Sequence, residues 1–318
     1  MAFRIEKMGL VASAADFNPG WIGSHLQAPN VVVLEDRIRI YFTTRTRDGV
    51  FFHSRPGFFD LALGDPTKII GFSEKPCLDD GELGNFDMFG IYPASVLKID
   101  SFFIMAYGGW TRPQDVGFDV SIGLARSSSG DHFVRDFPGP VLGKTMEEPF
   151  IQSSPKLRFY EGLFRIFYIS GKSWVESPQR QEPSYRIRAS CSEDLVSWTR
   201  HGKDLIPALT PNESQASPDV FFFQGKYHML FCFRGANDYL GGRGSYRIGY
   251  ASSYDLVAWV RDDEKVNFPV GPDSWDSEMV AYPSVFQVGL SWFVAYVGNG
   301  VGETGIGIAR LEVQRDVV

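Results

Sequence analysis

A proline recurs along this chain at a nearly constant interval: Pro29, Pro93, Pro155, Pro218 and Pro283 stand 64, 62, 63 and 65 residues apart. Each opens an apolar run. After a further 12 to 14 residues a second apolar run reaches an aromatic residue, Tyr41 in RIRIYF, Tyr107 in FFIMAY, Tyr168 in FRIFY, Phe231 in YHMLF and Tyr296 in WFVAY. A third run follows in four of the five units: SIGLARS around Ala125, YRIRAS around Ala189, YRIGYAS around Ala251 and GIGIARL around Ala309. The first unit matches poorly there, with only Val50 to Ser54 in its place. Two units add SEDLVSW, ending at Trp198, and SYDLVAW, ending at Trp259. A turn built on Asp, with Leu and Trp packed behind it, leads into a fourth and outermost strand.

Short strands in units of about 63 residues describe propeller blades, because a four-stranded blade needs neighbours to cover its faces. The predicted fold is all-β: a single five-bladed β-propeller, with four-stranded antiparallel blades around a central channel. The blades fall near 20–80, 81–143, 144–205, 206–270 and 271–318, and residues 1–19 are available to close the ring. Either FRIEK near the start or LEVQR near the end would supply the closing strand, which removes an exposed edge. Length alone, 318 residues, would suggest two domains. The even proline register replaces them with one ring. No sustained 3.6-residue apolar period competes with this reading.

Charge and cysteine usage narrow the function classes. The formal charge is −7, with no long basic run, which argues against nucleic acid as the main partner. Cys77, Cys191 and Cys232 are widely spaced and odd in number, as expected of free thiols in a reducing compartment. They form no metal-ligand pattern, no DxDxDG loop argues for calcium in the channel, and no cofactor is expected. No 18-residue apolar run occurs, and Arg4, Glu6 and Lys7 interrupt the start where a signal peptide would be apolar. No membrane span and a cytoplasmic location are therefore the expectation.

The rhythm xP-x-V, FxxxY, IGxAxS and DLxxW resembles the five-bladed propeller glycosidases of the arabinanase, levansucrase and invertase group, and also the mannoside phosphorylases. The likeness covers roughly residues 20 to 312. GNFDMFGIYP, EEPFIQSSP and WDSEMVAYP are in addition similar to an uncharacterised branch of such propellers. The resemblance implies a carbohydrate substrate bound at the mouth of the channel.

In a propeller the segments just before the innermost strands face that mouth. Here they offer His25 and Gln27; Asp87 and Tyr92; Glu147, Glu148, Gln152 and Ser153; Glu213, Gln215 and Asp219; and Asp276, Glu278 and Tyr282. Aromatics lie close by, including Trp21, Phe86, Phe89, Trp110, Trp174 and Trp275. Aromatics beside acids suit a sugar, whose apolar face stacks while its hydroxyls seek hydrogen bonds. Glycosidic cleavage needs two carboxyl groups, one protonated and one ionised. Asp87, Glu148 and Glu278 are the candidates. Phe86 and Phe89 would desolvate Asp87, and Glu147 would repel Glu148, both effects favouring a protonated acid. The blander alternatives are a turn aspartate and exposed loop acids.

The pattern departs from the well-studied glycosidases at one point. Those enzymes resemble one another in an Asp beside the first-blade proline and a Glu shortly before the third. Here Gln27 with Ala28, and Ser153 with Ser154, stand in those places. Arg45 and Arg234 end the second strands of units one and four, and an Arg pairs bidentately with carboxylate or phosphate. Arg186 and Arg247, in SYRIRAS and SYRIGYAS, are read as blade-packing residues. His25, Gln27, Arg45, Tyr92, Trp110, Trp174, Glu213, Arg234, Asp276 and Asn299 are the expected substrate contacts. The sequence thus supports a glycoside hydrolase first, a phosphorylase or glycosyltransferase second, and a non-catalytic carbohydrate-binding propeller third.

Overall fold

Each anchor proline interrupts pairing in the first strand of a sheet: the register slips across Pro29, Pro93, Pro155, Pro218 and Pro283 in all five. A proline cannot donate to a ladder, so within a sheet it belongs at an edge or a bulge. All five line one small void of about 20 Å³, which marks the axis of a ring. Just before the proline, Ala28, Ser154, Ser217 and Tyr282 take φ of 49°, 47°, 48° and 53°, and the Tyr92–Pro93 bond is cis. The repeat in the sequence is therefore a repeated bulge that turns the preceding side chain out of the sheet.

The computed structural model describes residues 2–49, 51–176, 181–235 and 244–314. Its sheets are five antiparallel blades, a five-bladed propeller. Blade one comprises Ser24–Val33, Arg37–Asp48, Phe51–Ala62 and Asp65–Phe72. Blade two comprises Ile91–Ile99, Phe102–Thr111, Asp119–Ser127 and Val134–Arg135. Blade three comprises Gln152–Tyr160, Leu163–Glu176, Gln181–Ser192 and Thr199–Arg200. Blade four comprises Ser214–Phe223, Lys226–Arg234, Arg247–Ser253 and Val260–Arg261.

Blade five closes the ring with strands from both ends of the chain. Ala281–Val288, Ser291–Val297 and Ile306–Gln314 are joined by Ala2–Ala12, which runs antiparallel to the last of these with Ile5 opposite Leu311. FRIEK and LEVQR thus pair with each other. A short fifth strand, Val266–Asn267, covers the outer side of the N-terminal strand. In blade one the third strand is FFHSRPGFFDLA, whose Phe58 stands opposite Tyr41; it lacks the small residues of IGxAxS, and Val50 lies outside the described residues.

Neighbouring blades are stitched near the axis by the residues that follow the prolines. Asn30 Oδ1 accepts the Val96 amide at 2.7 Å, and Ser95 Oγ accepts that of Leu157 at 3.1 Å. Asp219 Oδ2 accepts from Val285 at 2.7 Å, and Ser284 Oγ from Val31 at 3.1 Å. Between blades three and four the stitch is ionic, with Lys156 Nζ 3.1 Å from Asp219. Burial pushes the Lys156 ammonium down to about 8, against the pull of Asp219. At the periphery the Asp-built turns form as expected: Asp194 accepts the amides of Val196 and Ser197 at 2.8 Å, and Asp255 those of Val257 and Ala258 at 2.9 and 2.8 Å.

Inside each later blade a buried acid pins the inner loop to the outer strand. Asp87 accepts from Arg135 Nε at 2.7 Å and from the Tyr107 hydroxyl at 3.1 Å. Glu148 accepts from Tyr168 at 2.9 Å and Arg188 at 3.0 Å, and pairs with Arg200. Glu213 pairs with Arg261 at 2.6 Å and accepts from Gln215 at 2.9 Å. Asp276 pairs with Lys7 at 2.6 Å and accepts from Tyr296 at 3.0 Å. Burial pushes the Asp276 carboxyl up, but Lys7, Ser274 and Tyr296 together bring it below its ordinary value. The strand-end tyrosines of blades two, three and five are therefore hydrogen-bonding partners of these acids as well as core residues.

Candidate functional site

One face of the ring opens into a funnel of about 1020 Å³, at the upper end of the ~300–1,000 Å³ usual for small-molecule sites. Blade one contributes His25, Gln27 and Arg45, and blade two Tyr92, Trp110, Arg112 and Phe118. Blades three and four contribute Glu182, Tyr185, Arg234 and Tyr246, and blade five Tyr282. Sheet geometry explains the selection: bulges aim the residues before the prolines, and the upper ends of second and third strands complete the wall.

Two tyrosine pairs build the lower wall. The Tyr92 hydroxyl donates to that of Tyr282 at 2.7 Å, joining blades two and five across blade one. Tyr185 and Tyr246, the tyrosines of the repeated SYRI, share a hydrogen bond of 2.6 Å. Arg234 Nε donates to both of these hydroxyls at 3.1 Å, and its Nη2 lies 3.9 Å from Glu182. Burial raises the Tyr92, Tyr246 and Tyr282 phenols, so they remain neutral donors.

In blade one Gln27 is buried, with both of its amide atoms engaged. Its Nε2 donates to the Val301 carbonyl at 2.7 Å, and its Oε1 accepts from Arg45 Nε at 3.1 Å. His25, held at φ 67°, bonds Ser24 Oγ through Nδ1 at 2.8 Å. Burial, with the Arg45 charge second, pushes its imidazole down to about 4. Arg112 lies 5.2, 6.0 and 5.6 Å from the ring centres of Phe51, Phe89 and Trp110.

The structure brings His25, Gln27, Arg45, Tyr92, Trp110, Ser153, Arg234 and Tyr282 together in the funnel, whereas Asp87, Glu148, Trp174, Glu213, Asp276, Glu278 and Asn299 do not line it. Trp174 reaches it indirectly, edge-on to Phe118 with ring centres 5.4 Å apart. Asp87 and Glu148 do not line the funnel; the aromatic desolvation expected around Asp87 is accompanied by Arg135, and Glu148 meets three basic or hydroxyl partners instead of Glu147. Glu213 and Asp276 are likewise held by Arg261 and Lys7. The Glu278 side chain is exposed outside the funnel, and among the described residues its bonds are backbone ones, to Asn299 and Arg247. Asn299 spends its amide on Glu278 N, Met279 N, Ser274 O and Ser277 Oγ, which leaves little for a sugar. Phe86 stacks on Tyr107, and Trp275 packs tilted against Tyr296, inside their blades. Arg186 and Arg247 hold the loops of the next blade through the carbonyls of Pro211 and Glu278, as blade-packing residues.

The funnel's own carboxylates were not singled out in the sequence: Glu182 is buried, and Glu176 and Glu303 are exposed. Among the described residues no three His, Cys, Asp or Glu side chains converge as a metal site, and no helix is long and apolar enough to cross a membrane.

The fold is shared with solved carbohydrate-active propellers. A structure named glycoside hydrolase superposes with a TM-score of 0.73 at 15% identity, over 98% of this chain and 93% of its own. A member of the GH130 family of mannoside phosphorylases, described as containing glycoside hydrolases that target β-1,2 mannosidic linkages in Candida mannan, gives 0.72 at 15% identity over 98% and 94%. A thermostable family-43 glycoside hydrolase gives 0.62 at 18% identity, over 94% of each chain. No family model matches the sequence. Two Mycobacterium tuberculosis proteins, the uncharacterized proteins MT1551 and Rv1502, are each 34% identical over 295 residues, 92% of this chain and 94% of theirs. The chain belongs to the family of MT1551 and Rv1502, and its fold is the five-bladed propeller of glycoside hydrolases.

Proposed function

We propose that this protein cleaves a glycosidic bond in the funnel, passing the glycosyl group to water or phosphate, with Glu182 as the proton donor. The observation that supports the reading is the composition of the wall: among the described residues one buried carboxylate, Glu182, beside Arg234 and the Tyr185 and Tyr246 phenols, with aromatic and cationic residues lining the same funnel. In its protonated form a carboxyl so placed can give its proton to a departing sugar oxygen, a contribution of about 10²–10⁴ in rate. The Tyr92–Tyr282 and Tyr185–Tyr246 pairs supply hydrogen-bonding partners for sugar hydroxyls, and Trp110 and Phe118 supply apolar faces. Transfer to phosphate needs a single protein acid, because phosphate is itself the nucleophile. Hydrolysis needs a second carboxylate, for which Glu176 and Glu303 at the funnel mouth are the available groups.

The test is a panel of oligosaccharides incubated with and without inorganic phosphate, with products separated by chromatography. Release of a sugar 1-phosphate only when phosphate is present selects phosphorolysis, and release of free sugar in either case selects hydrolysis. Sugar binding by calorimetry with no product after long incubation would overturn the reading in favour of a binding propeller. Glu182→Gln is expected to lower turnover at least 100-fold.

A further inference from the structure

Among the described residues, no carboxylate pairs with the two arginines on the wall of blades one and two, Arg45 and Arg112. Among the described residues, Arg45 has one polar partner, Gln27 Oε1, and no carboxylate. Its two terminal nitrogens take no protein acceptor among those residues. Arg112 is held by the faces of three aromatic rings, a contact that leaves the edge of its guanidinium open. His25 adds an uncharged polar group beside Arg45, its imidazole pushed down to about 4 by burial and by that charge, with Nδ1 tied to Ser24 and Nε2 unpartnered among the described residues.

Gln27 explains why the charge stays available. A carboxylate at that position would hold Arg45 Nε just as well, but it would also cancel the charge. The neutral amide fixes Arg45 while leaving it cationic, and Gln27 is itself locked by the Val301 carbonyl. An uncompensated, partly buried guanidinium such as that of Arg45 is costly unless something anionic joins it. Other arginines buried in the blades meet acids: Arg39 with Asp60, Arg188 with Glu148 and Asp204, Arg261 with Glu213 and Asp263. Half-buried Arg45 meets no acid among the described residues, and it lines the funnel together with the exposed Arg112.

We infer that His25, Arg45 and Arg112 form a subsite for an oxyanion, a carboxylate or phosphate group that arrives on the glycoside or beside it, with Gln27 as the positioning residue. The planar forks of two arginines match the geometry of either group. The inference rests on the cleavage reading for the identity of the sugar, but anion binding needs no turnover, so the two fail separately.

The test is calorimetric titration of the whole protein with inorganic phosphate, with glucuronate and with glucose as the neutral control, at pH 7.5 and low salt. Phosphate or glucuronate is expected to bind at least tenfold more tightly than glucose. Phosphate alone would identify a free phosphate as the source, glucuronate alone an acidic sugar, and both would support the shared oxyanion chemistry. Gln27→Glu, which gives Arg45 an internal carboxylate, is expected to weaken anion binding tenfold or more without changing the response to glucose. Arg112→Ala, at an exposed position, is expected to weaken it about fivefold and serves if Gln27→Glu fails to fold. Arg126→Ala, which removes a charge paired with Asp136 outside the funnel, is expected to leave it unchanged. Absence of binding by both anions would overturn the inference. So would wild-type affinity in folded Gln27→Glu, or in Arg112→Ala if Gln27→Glu does not fold.

Discussion

Replacing Glu148 with glutamine separates a structural acid from a catalytic one. Glu148 is 1% exposed and joins Tyr168, Arg188 and Arg200 in the interior of blade three. Removing one member of a buried ion-pair network costs about 3–5 kcal/mol, because the remaining charges are left without a partner. The lower figure applies here, since Arg188 keeps Asp204 at 2.9 Å and Arg200 keeps the Gly143 carbonyl at 2.6 Å. Unfolding entropy of about 2.1 cal/mol/K per residue gives roughly 0.7 kcal/mol/K for a chain of this length. A loss of about 3 kcal/mol then lowers Tm by about 4–5 °C. Differential scanning calorimetry of Glu148→Gln against wild type measures it, with exposed Glu278→Gln, expected within about 0.5 kcal/mol, as the control. An unchanged Tm in Glu148→Gln together with lost turnover would refute the structural assignment.

Other perturbations read the same architecture. His25 titrates near 4 when folded and near 6.5 when unfolded, so the unfolded chain binds more protons between those values. Stability should therefore fall as pH drops from 6.5 towards 4, and His25→Gln should flatten that part of a Tm-versus-pH curve. Gly90 has φ 104°, and a Cβ there would stand 2.0 Å from the Ser54 carbonyl oxygen. Gly90→Ala should therefore cost about 2 kcal/mol or more by urea unfolding. Tyr282→Phe removes the 2.7 Å bond to Tyr92 and should cost about 1 kcal/mol by the same measurement.

Repeated features were legible in the sequence because each serves the same local geometry five times. The proline register gave the bulges, the strand-end tyrosines gave the core, and the DLxxW turns gave the route to the outer strand. The acids before the prolines were visible too, but their role depends on a residue far along the chain. Asp87, Glu148 and Glu213 meet Arg135, Arg200 and Arg261, each two residues after an aromatic in FVR, WTR and WVR. That aromatic-x-Arg pattern is the signal that would have exposed the pairing. In blade five the cation is Lys7, supplied by the opposite end of the chain, where no local pattern could reveal it. Tyr185 and Tyr246 were findable from the repeated SYRI. Glu182 has no counterpart that repeats, since QEPSYRI stands alone.

The central claim is that chemistry belongs to the funnel wall and not to the acids beneath it. Measuring turnover for Glu182→Gln and Glu148→Gln side by side, at a temperature where both are folded, tests it most directly. The account predicts at least a 100-fold loss of kcat in Glu182→Gln and near wild-type kcat in Glu148→Gln. Retained turnover in Glu182→Gln with loss in folded Glu148→Gln would contradict it.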